Sequence, residues 1–246
     1  MLAIRIVPVL LWDEHGAVKG RQFSKDRHIG SMMDRIRLME RRDIDELIIL
    51  DVVATPEKRG PRFEDIKHFC ENLFCPVTVG GGVKNCHDIQ RLLANGADKV
   101  AINTAAFENP GLIDEAAKKF GSQAVVVSID VWEGSVHTHC GQRDRHCDPV
   151  WWAQDCESRG AGEILLNSIE RDGSLDGYDL DTIAAVSAAV SIPVVVAGGA
   201  GTYEHFADAL KAGAHAVAAG AMFQFKDLTP KGASRYLHER GFQVRL

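Results

Sequence analysis

The chain has no excess of positive charge. Its 28 Lys and Arg residues are outnumbered by 34 Asp and Glu, giving a formal net charge of −6, and the basic residues are scattered. A nucleic-acid surface needs a basic patch, so no nucleic-acid partner is expected. Long apolar runs are also missing. The opening MLAIRIVPVLLWDEHG turns polar at Trp12-Asp13-Glu14, too soon for a membrane span and without the layout of a signal peptide. A cytoplasmic location without membrane contact is the expectation. Cysteine is sparse as well: the six residues Cys70, Cys75, Cys86, Cys140, Cys147 and Cys156 are too few for a disulfide scaffold in 246 residues, and reduced thiols are expected. No linker, low-complexity tract or charge block divides the chain, so residues 1–246 are read as one domain.

Against these absences stands a regular alternation. Eight short runs rich in β-branched residues recur, namely IRIVPVL, ELIILD, PVTV, KVAIN, AVVVSID, EILLNS, PVVVA and AVAAG, with amphipathic helix-length stretches between them. Apolar strands each followed by a helix indicate parallel strands covered on both faces. Eight such units in 246 residues favour closure into an α/β, (β/α)8 barrel over an open sheet.

The second half repeats the first. Glu46 pairs with Glu163, Pro76 with Pro193, Gly81-Gly82 with Gly198-Gly199, and Gly96-Ala97 with Gly213-Ala214, all at one constant offset. Duplication of a half-barrel leaves this trace.

In such a barrel the working residues lie where strands end and βα loops begin. Gly80-Gly81-Gly82 follows the third strand and Asn103-Thr104 the fourth; Gly198-Gly199 follows the seventh and Gly220-Ala221 the eighth. Glycine lets backbone approach an anion, and a following helix start offers free N–H groups. Two phosphate pockets are therefore expected, with Asp172-Gly173 as a further wall of the second. Tight turns and close packing are the plainer explanation of the same glycines. A ligand touching both pockets would carry two phosphates.

For proton transfer the candidates are Asp130, ending the fifth strand, and Asp51, ending the second. Burial raises a carboxyl pKa towards the range useful for acid–base work. The alternative for each is a carboxylate that holds loop backbone. The repeat predicts a partner for Asp130 near position 11, and position 11 is leucine. Asp13 has the same strand parity and is the one nearby substitute. His137, His139, Cys140, His146 and Cys147 are of types that bind zinc, but their spacing fits no zinc motif. A solvated hairpin without metal is expected there, and no cofactor.

These residues resemble the family of the cyclase subunit of imidazole glycerol phosphate synthase, over essentially the whole chain. The resemblance is carried by VKG at 18–20, TVGGG at 78–82, GADKVAINTAA at 96–106, FGSQAVVVSID at 120–130, RGAGEILL at 159–166, RDG at 171–173, GGAG at 198–201 and the terminal VRL. It implies a barrel that binds a bis-phosphorylated ribonucleotide across its mouth and takes ammonia from a class I glutaminase docked on the opposite face. Gly82, Asn103 and Thr104 would hold one phosphate; Asp172, Gly173, Gly199, Gly220 and Ala221 would hold the other. Arg5, Glu46, Lys99 and Glu163 would form a charged gate for ammonia, and Asp98 would face the glutaminase. Arg5, Glu46, Lys99, Glu163 and Asp98 are all present.

The departure is on the first strand. The family's acid–base pair is Asp130 with an aspartate at position 11, next to a cysteine at position 9; here these are Leu11 and Val9. The first strand, VPVLLW, is similar to a branch of the family that lacks this acid and works with a glutaminase-like protein and a separate amidotransferase on acetamidino groups of surface-polysaccharide sugars. The leading expectation is therefore an ammonia-conducting subunit in sugar amidination. The alternatives are an authentic cyclase of histidine biosynthesis and a catalytically silent activator of the glutaminase.

Overall fold

The computed structural model describes residues 3–24 and 27–246. Eight parallel strands close on themselves: β1 (Arg5–Asp13), β2 (Leu47–Asp51), β3 (Val77–Gly80), β4 (Lys99–Ile102), β5 (Val125–Trp132), β6 (Glu163–Ser168), β7 (Val194–Ala197) and β8 (Ala216–Ala219). Each pairs with its sequence neighbour, and β8 returns to β1 through Arg5↔Ala216 to Pro8↔Ala219. The (β/α)8 barrel read from the eight runs is the observed architecture.

Strand parity creates two cores. Val7, Ile48, Val126, Leu165, Val195 and the small Ala101, Ala197, Ala216 and Ala218 pack inside the barrel. The alternate residues, such as Ile6, Leu10, Ile49, Val79, Val127 and Ile164, face outward into the layer shared with the helices. Residues i and i+2 share a face in a strand; hence burial on both sides gives the near-continuous apolar runs seen in the sequence.

The surrounding helices begin where the sequence supplies caps. The Asn85 side chain accepts from the N–H groups of His87 and Asp88 at the start of Cys86–Ala94. Thr202, its mate in the repeat, accepts from His205 N–H at the start of Tyr203–Lys211. Each cap is worth about 1 kcal/mol. The buried faces, Ile89 and Leu92 in one helix and Phe206 and Leu210 in the other, cover the barrel wall.

Two strands run further than the predicted runs. β1 continues to Asp13 because Gly16–Lys19 folds back antiparallel on it, through Leu11↔Val18, Trp12↔Ala17 and Asp13↔Gly16. β5 continues to Trp132 because Ser135–Thr138 does the same, through Asp130↔His137, Val131↔Val136 and Trp132↔Ser135. Both hairpins rise from the C-terminal rim, one in each half-barrel.

Candidate active site

A cavity lies at that rim. Its lining brings together Leu11, Lys19, Asn103, Thr104, Asp130 and Asp172, with the glycines Gly81, Gly82, Gly198 and Gly220 around them. Gly173, Gly199 and Ala221 are not part of this lining. Gly199 keeps a φ of +107° with its notional Cβ 2.0 Å from the Gly177 carbonyl oxygen, and Gly82 a φ of +71° with its notional Cβ 2.7 Å from the Ala54 side-chain Cβ. These loops are so tight that no larger residue fits, which accounts for the glycines by packing whether or not an anion binds.

Asp130 is the chemical centre. It is 7% exposed and accepts three side-chain hydrogen bonds: from Asn103 Nδ2 at 2.8 Å on β4's end, from Ser128 Oγ at 3.2 Å on its own strand, and from Asn167 Nδ2 at 3.3 Å on β6. Burial pushes its pKa up to about 6, with the hydrogen bonds from Asn167 and Ser128 opposing the shift. A carboxyl so placed can both give and take a proton near neutral pH.

Leu11 occupies the matching place in the other half. Leu11 pairs with Leu50 on the next strand and with Val18 on the returning strand; Asp130 pairs with Asn167 and His137 in the same two directions. Leu11 is thus the structural counterpart of Asp130, and its side chain lines the mouth.

Of the two further carboxylates, Asp51 lines the same cavity as Asp130 and Asp13 does not. Asp13 sits at the hairpin tip, where its carboxylate accepts from His15 N–H at 2.8 Å and lies 3.0 Å from His28 Nε2; among the described residues it is no part of the lining. The strand does extend as far as Asp13, but it has left the barrel wall by then. Asp51 ends β2 with the opposite parity from Leu50, so the leucine takes the inner position. The Asp51 carboxylate instead accepts from Arg59 at 2.7 and 3.0 Å and from the N–H groups of Val53 and Ala54 at 3.1 and 3.0 Å. It holds the β2 loop, the alternative kept open for such carboxylates.

Lys19 and Asn167 escaped the sequence reading. Lys19, in the VKG motif, is buried and its Nζ lies 2.9 Å from Asp172 Oδ1. The same carboxylate accepts from Phe23 N–H at 3.3 Å, and the Asp172 carbonyl accepts from Gln22 N–H at 3.0 Å, so Asp172 ties the β1 loop across the mouth. Counting in twos from Glu163 along β6 leads to Asn167 on the inner face, a signal that strand parity already contained.

At the opposite end, where the strands begin, four charges close a ring. Arg5 reaches Glu46 at 2.5 Å and Glu163 at 2.7 Å, and Lys99 reaches the same two at 2.9 and 3.2 Å. Thr78 Oγ1 donates to Glu46 at 3.0 Å. Burial would raise the pKa of Glu46, yet Lys99 and Arg5 together hold it below its ordinary value. Beside the ring, exposed Asp98 accepts from Val77 N–H at 2.8 Å and faces the same end.

The His and Cys residues of 137–147 form a hairpin rather than a converging set. His137 contacts the Gly141 carbonyl at 3.0 Å, His139 lies 3.6 Å from Glu108, His146 lies 3.0 Å from Asp144, and Cys147 Sγ faces the Asp148 carbonyl. Among the described residues no group of three or more metal-ligating side chains converges. Also among them, no helix is long and apolar enough to cross a membrane.

A closed barrel with a buried, proton-poised carboxyl at the C-terminal ends of its strands has the architecture of a barrel enzyme. The chain belongs to the histidine biosynthesis protein family, whose model matches residues 5–229. It is similar to three proteins named imidazole glycerol phosphate synthase subunit HisF. That of Thermobifida fusca is 42% identical over 99% of both chains. That of Thermococcus onnurineus is 42% identical over 100% of this chain and 99% of the relative, and that of Streptomyces coelicolor 43% over 99% of both.

Proposed function

We propose that this chain is the ammonia-using synthase subunit of a glutamine-dependent complex of the imidazole glycerol phosphate synthase type. A glutaminase subunit docks on the end that carries Asp98 and the charged ring. Ammonia passes the ring and the small-residue interior, and a phosphorylated ligand occupies the mouth beside Asp130. The observation that carries this reading is the pairing of two ends in one barrel: a closed four-charge ring where the strands start, and a carboxyl with a pKa near 6 where they end. The names of the relatives favour the histidine-pathway cyclase over the sugar-amidination role expected from the first strand.

The residues divide the work by their surroundings. Asp130 carries the proton, and Asn103, Ser128 and Asn167 orient its two oxygens and moderate its basicity. Lys19 and Asp172 hold the β1 loop over the reacting ligand, and the glycine loops bring backbone close to its phosphates. A ring of two cations, each bridging both anions, satisfies charges that would be costly to leave unpaired at the barrel floor.

Leu11 favours a second reading, in which the ammonia is handed to a separate amidotransferase for an acetamidino group on a sugar. Without a second carboxyl at the mouth, proton transfer worth about 10² to 10⁴ in rate is lost. Turnover of the bis-phosphorylated ribonucleotide with saturating ammonium salt separates the two, because it bypasses the glutaminase. Turnover within tenfold of an ordinary cyclase of the family supports the first reading. Its absence, in protein that still stimulates a partner glutaminase, supports the second.

A further inference from the structure

The tip of the β5 hairpin turns through two successive non-glycine residues of positive φ, His139 and Cys140, both at +56°. Such a turn costs free energy unless its surroundings hold it. A directed chain of hydrogen bonds does so. Arg145 Nε donates to Thr138 Oγ1 at 2.6 Å, and Thr138 is fully buried. The Thr138 hydroxyl then gives its own proton to His139 Nδ1 at 3.1 Å. This leaves the ring proton on Nε2, 3.6 Å from Glu108, and burial together with the Arg143 charge lowers the histidine pKa, which favours the neutral ring. Arg145 is itself fixed by Glu108 Oε1 at 3.0 Å and by the Phe107 ring, 5.2 Å from its guanidinium carbon.

The chain ends on a residue of the cavity. His139 N–H donates to Thr104 Oγ1 at 3.0 Å, which occupies an acceptor site of that hydroxyl and leaves its proton to point elsewhere. Thr104 lines the mouth and opens the short helix Thr104–Glu108, so the hairpin tip grips this helix at both ends. The first half has no such bond. At the places of Thr138, His139 and Thr104 it has Lys19, Gly20 and Ala221, and the alanine side chain has no oxygen to accept. There Lys19 Nζ lies 3.3 Å from where a Cβ on Gly220 would stand. One side of the mouth thus brings an ammonium to its glycine loop, and the other brings a hydroxyl.

We infer that Arg145 is a positioning residue for the ligand phosphate on the Thr104 side: through Thr138 and His139 it holds the Thr104 hydroxyl as a hydrogen-bond donor to that phosphate. The phosphate rests on the function proposed above; the positioning rests on the chain of bonds. Arg145 is not part of the cavity lining and acts only through the tip. A donor fixed in advance loses little freedom when the ligand arrives, whereas a hydroxyl that can turn must be ordered at the expense of affinity.

The test is a double-mutant cycle, read by calorimetric titration of the full chain with the bis-phosphorylated ribonucleotide. Arg145→Ala should weaken binding by roughly tenfold, and Thr104→Ala by at least as much. The double variant should bind no worse than about twofold below Thr104→Ala alone, because the two residues act as one unit. Should Arg145→Ala not fold, Glu108→Gln takes its place in the cycle: it loosens the same anchor from a half-exposed side chain, with an expected loss of about threefold. Unchanged affinity in the variant used overturns the positioning role while leaving the phosphate reading intact. Full multiplication of the two single losses overturns it too, by showing that Arg145 does not act through Thr104. Wild-type protein that fails to bind the ribonucleotide overturns the phosphate reading and the positioning role with it.

Discussion

A Cβ on Gly81 would stand 2.3 Å from the Asp51 carbonyl oxygen, and a Cβ on Gly198 would stand 2.4 Å from that of Ser168. The same collision occurs at the same place in the two halves, at φ values of +108° and +93°. Gly81→Ala and Gly198→Ala should therefore be similarly costly. The unfavourable backbone region and the clash with main chain together amount to on the order of 3 kcal/mol, or roughly 6 to 12 °C in a protein of this size. Thermal melts of the two variants check this, and a shift below a degree in either would count against the geometry.

Asp130 gives a pH-dependent stability of definite sign. Burial pushes its carboxyl pKa up to about 6 in the folded chain, against an ordinary value of 3.8. Between those pH values the folded state binds more protons than the unfolded one, so Asp130 makes stability fall as pH rises. Asp130→Asn removes that dependence. The stability of the variant relative to wild type should climb by on the order of 2 kcal/mol between pH 4 and pH 7. Urea unfolding at several pH values measures the difference, and a constant offset would show that Asp130 is not desolvated.

Glu46 behaves in the opposite sense. Its folded pKa is depressed below 4.5 by Lys99 and Arg5, so its contribution is present above about pH 4.5 and fades as pH falls through the folded value. Glu46→Gln should cost about 3 kcal/mol at pH 7, since it leaves two cations at the barrel floor with one anion. Wild type and variant should converge in acid. The same urea series tests this, and a gap that does not begin to narrow as the pH falls below about 4.5 would contradict it.

Leu11→Asp restores a second carboxyl opposite the first. With the bis-phosphorylated ribonucleotide and ammonium salt, cyclase turnover should rise by about 10² to 10⁴ over the parent chain. A Leu11→Asn control separates the carboxyl from mere polarity. Equal turnover in the two variants would mean that proton transfer through position 11 does not limit the reaction.

Much of this was legible in the sequence because strand parity and duplication are one-dimensional signals. The eight strands follow from counting residues and a rim partner for Asp130 near the end of the first strand follows from the repeat, whereas the grouping of Arg5, Glu46, Lys99 and Glu163 at the barrel floor was implied by the family resemblance, and the match of Leu11 to Asp130 is fixed by the strand registers. The engagement of Asp51 was also within reach of counting: Ile48 and Leu50 take the inner face, and the Asp51 carboxylate at the cavity's edge meets Arg59. The inner position of Asn167 was available by the same rule. Asp13 and Lys19 were harder, because the hairpin that removes one from the mouth and buries the other depends on antiparallel pairing over only a few residues. The Lys19–Asp172 contact joins loops from opposite halves, and no local pattern announces it.

The hairpin registers also bear on ancestry. β1 and β5 turn back at matching residues and meet the next strand in the same register, as two copies of one folding unit with its own rim hairpin would. At the shared rim position one copy has a proton carrier and the other hydrocarbon. The chain thereby holds two outcomes at one position side by side, and the half with the acid is the reference against which the other can be judged.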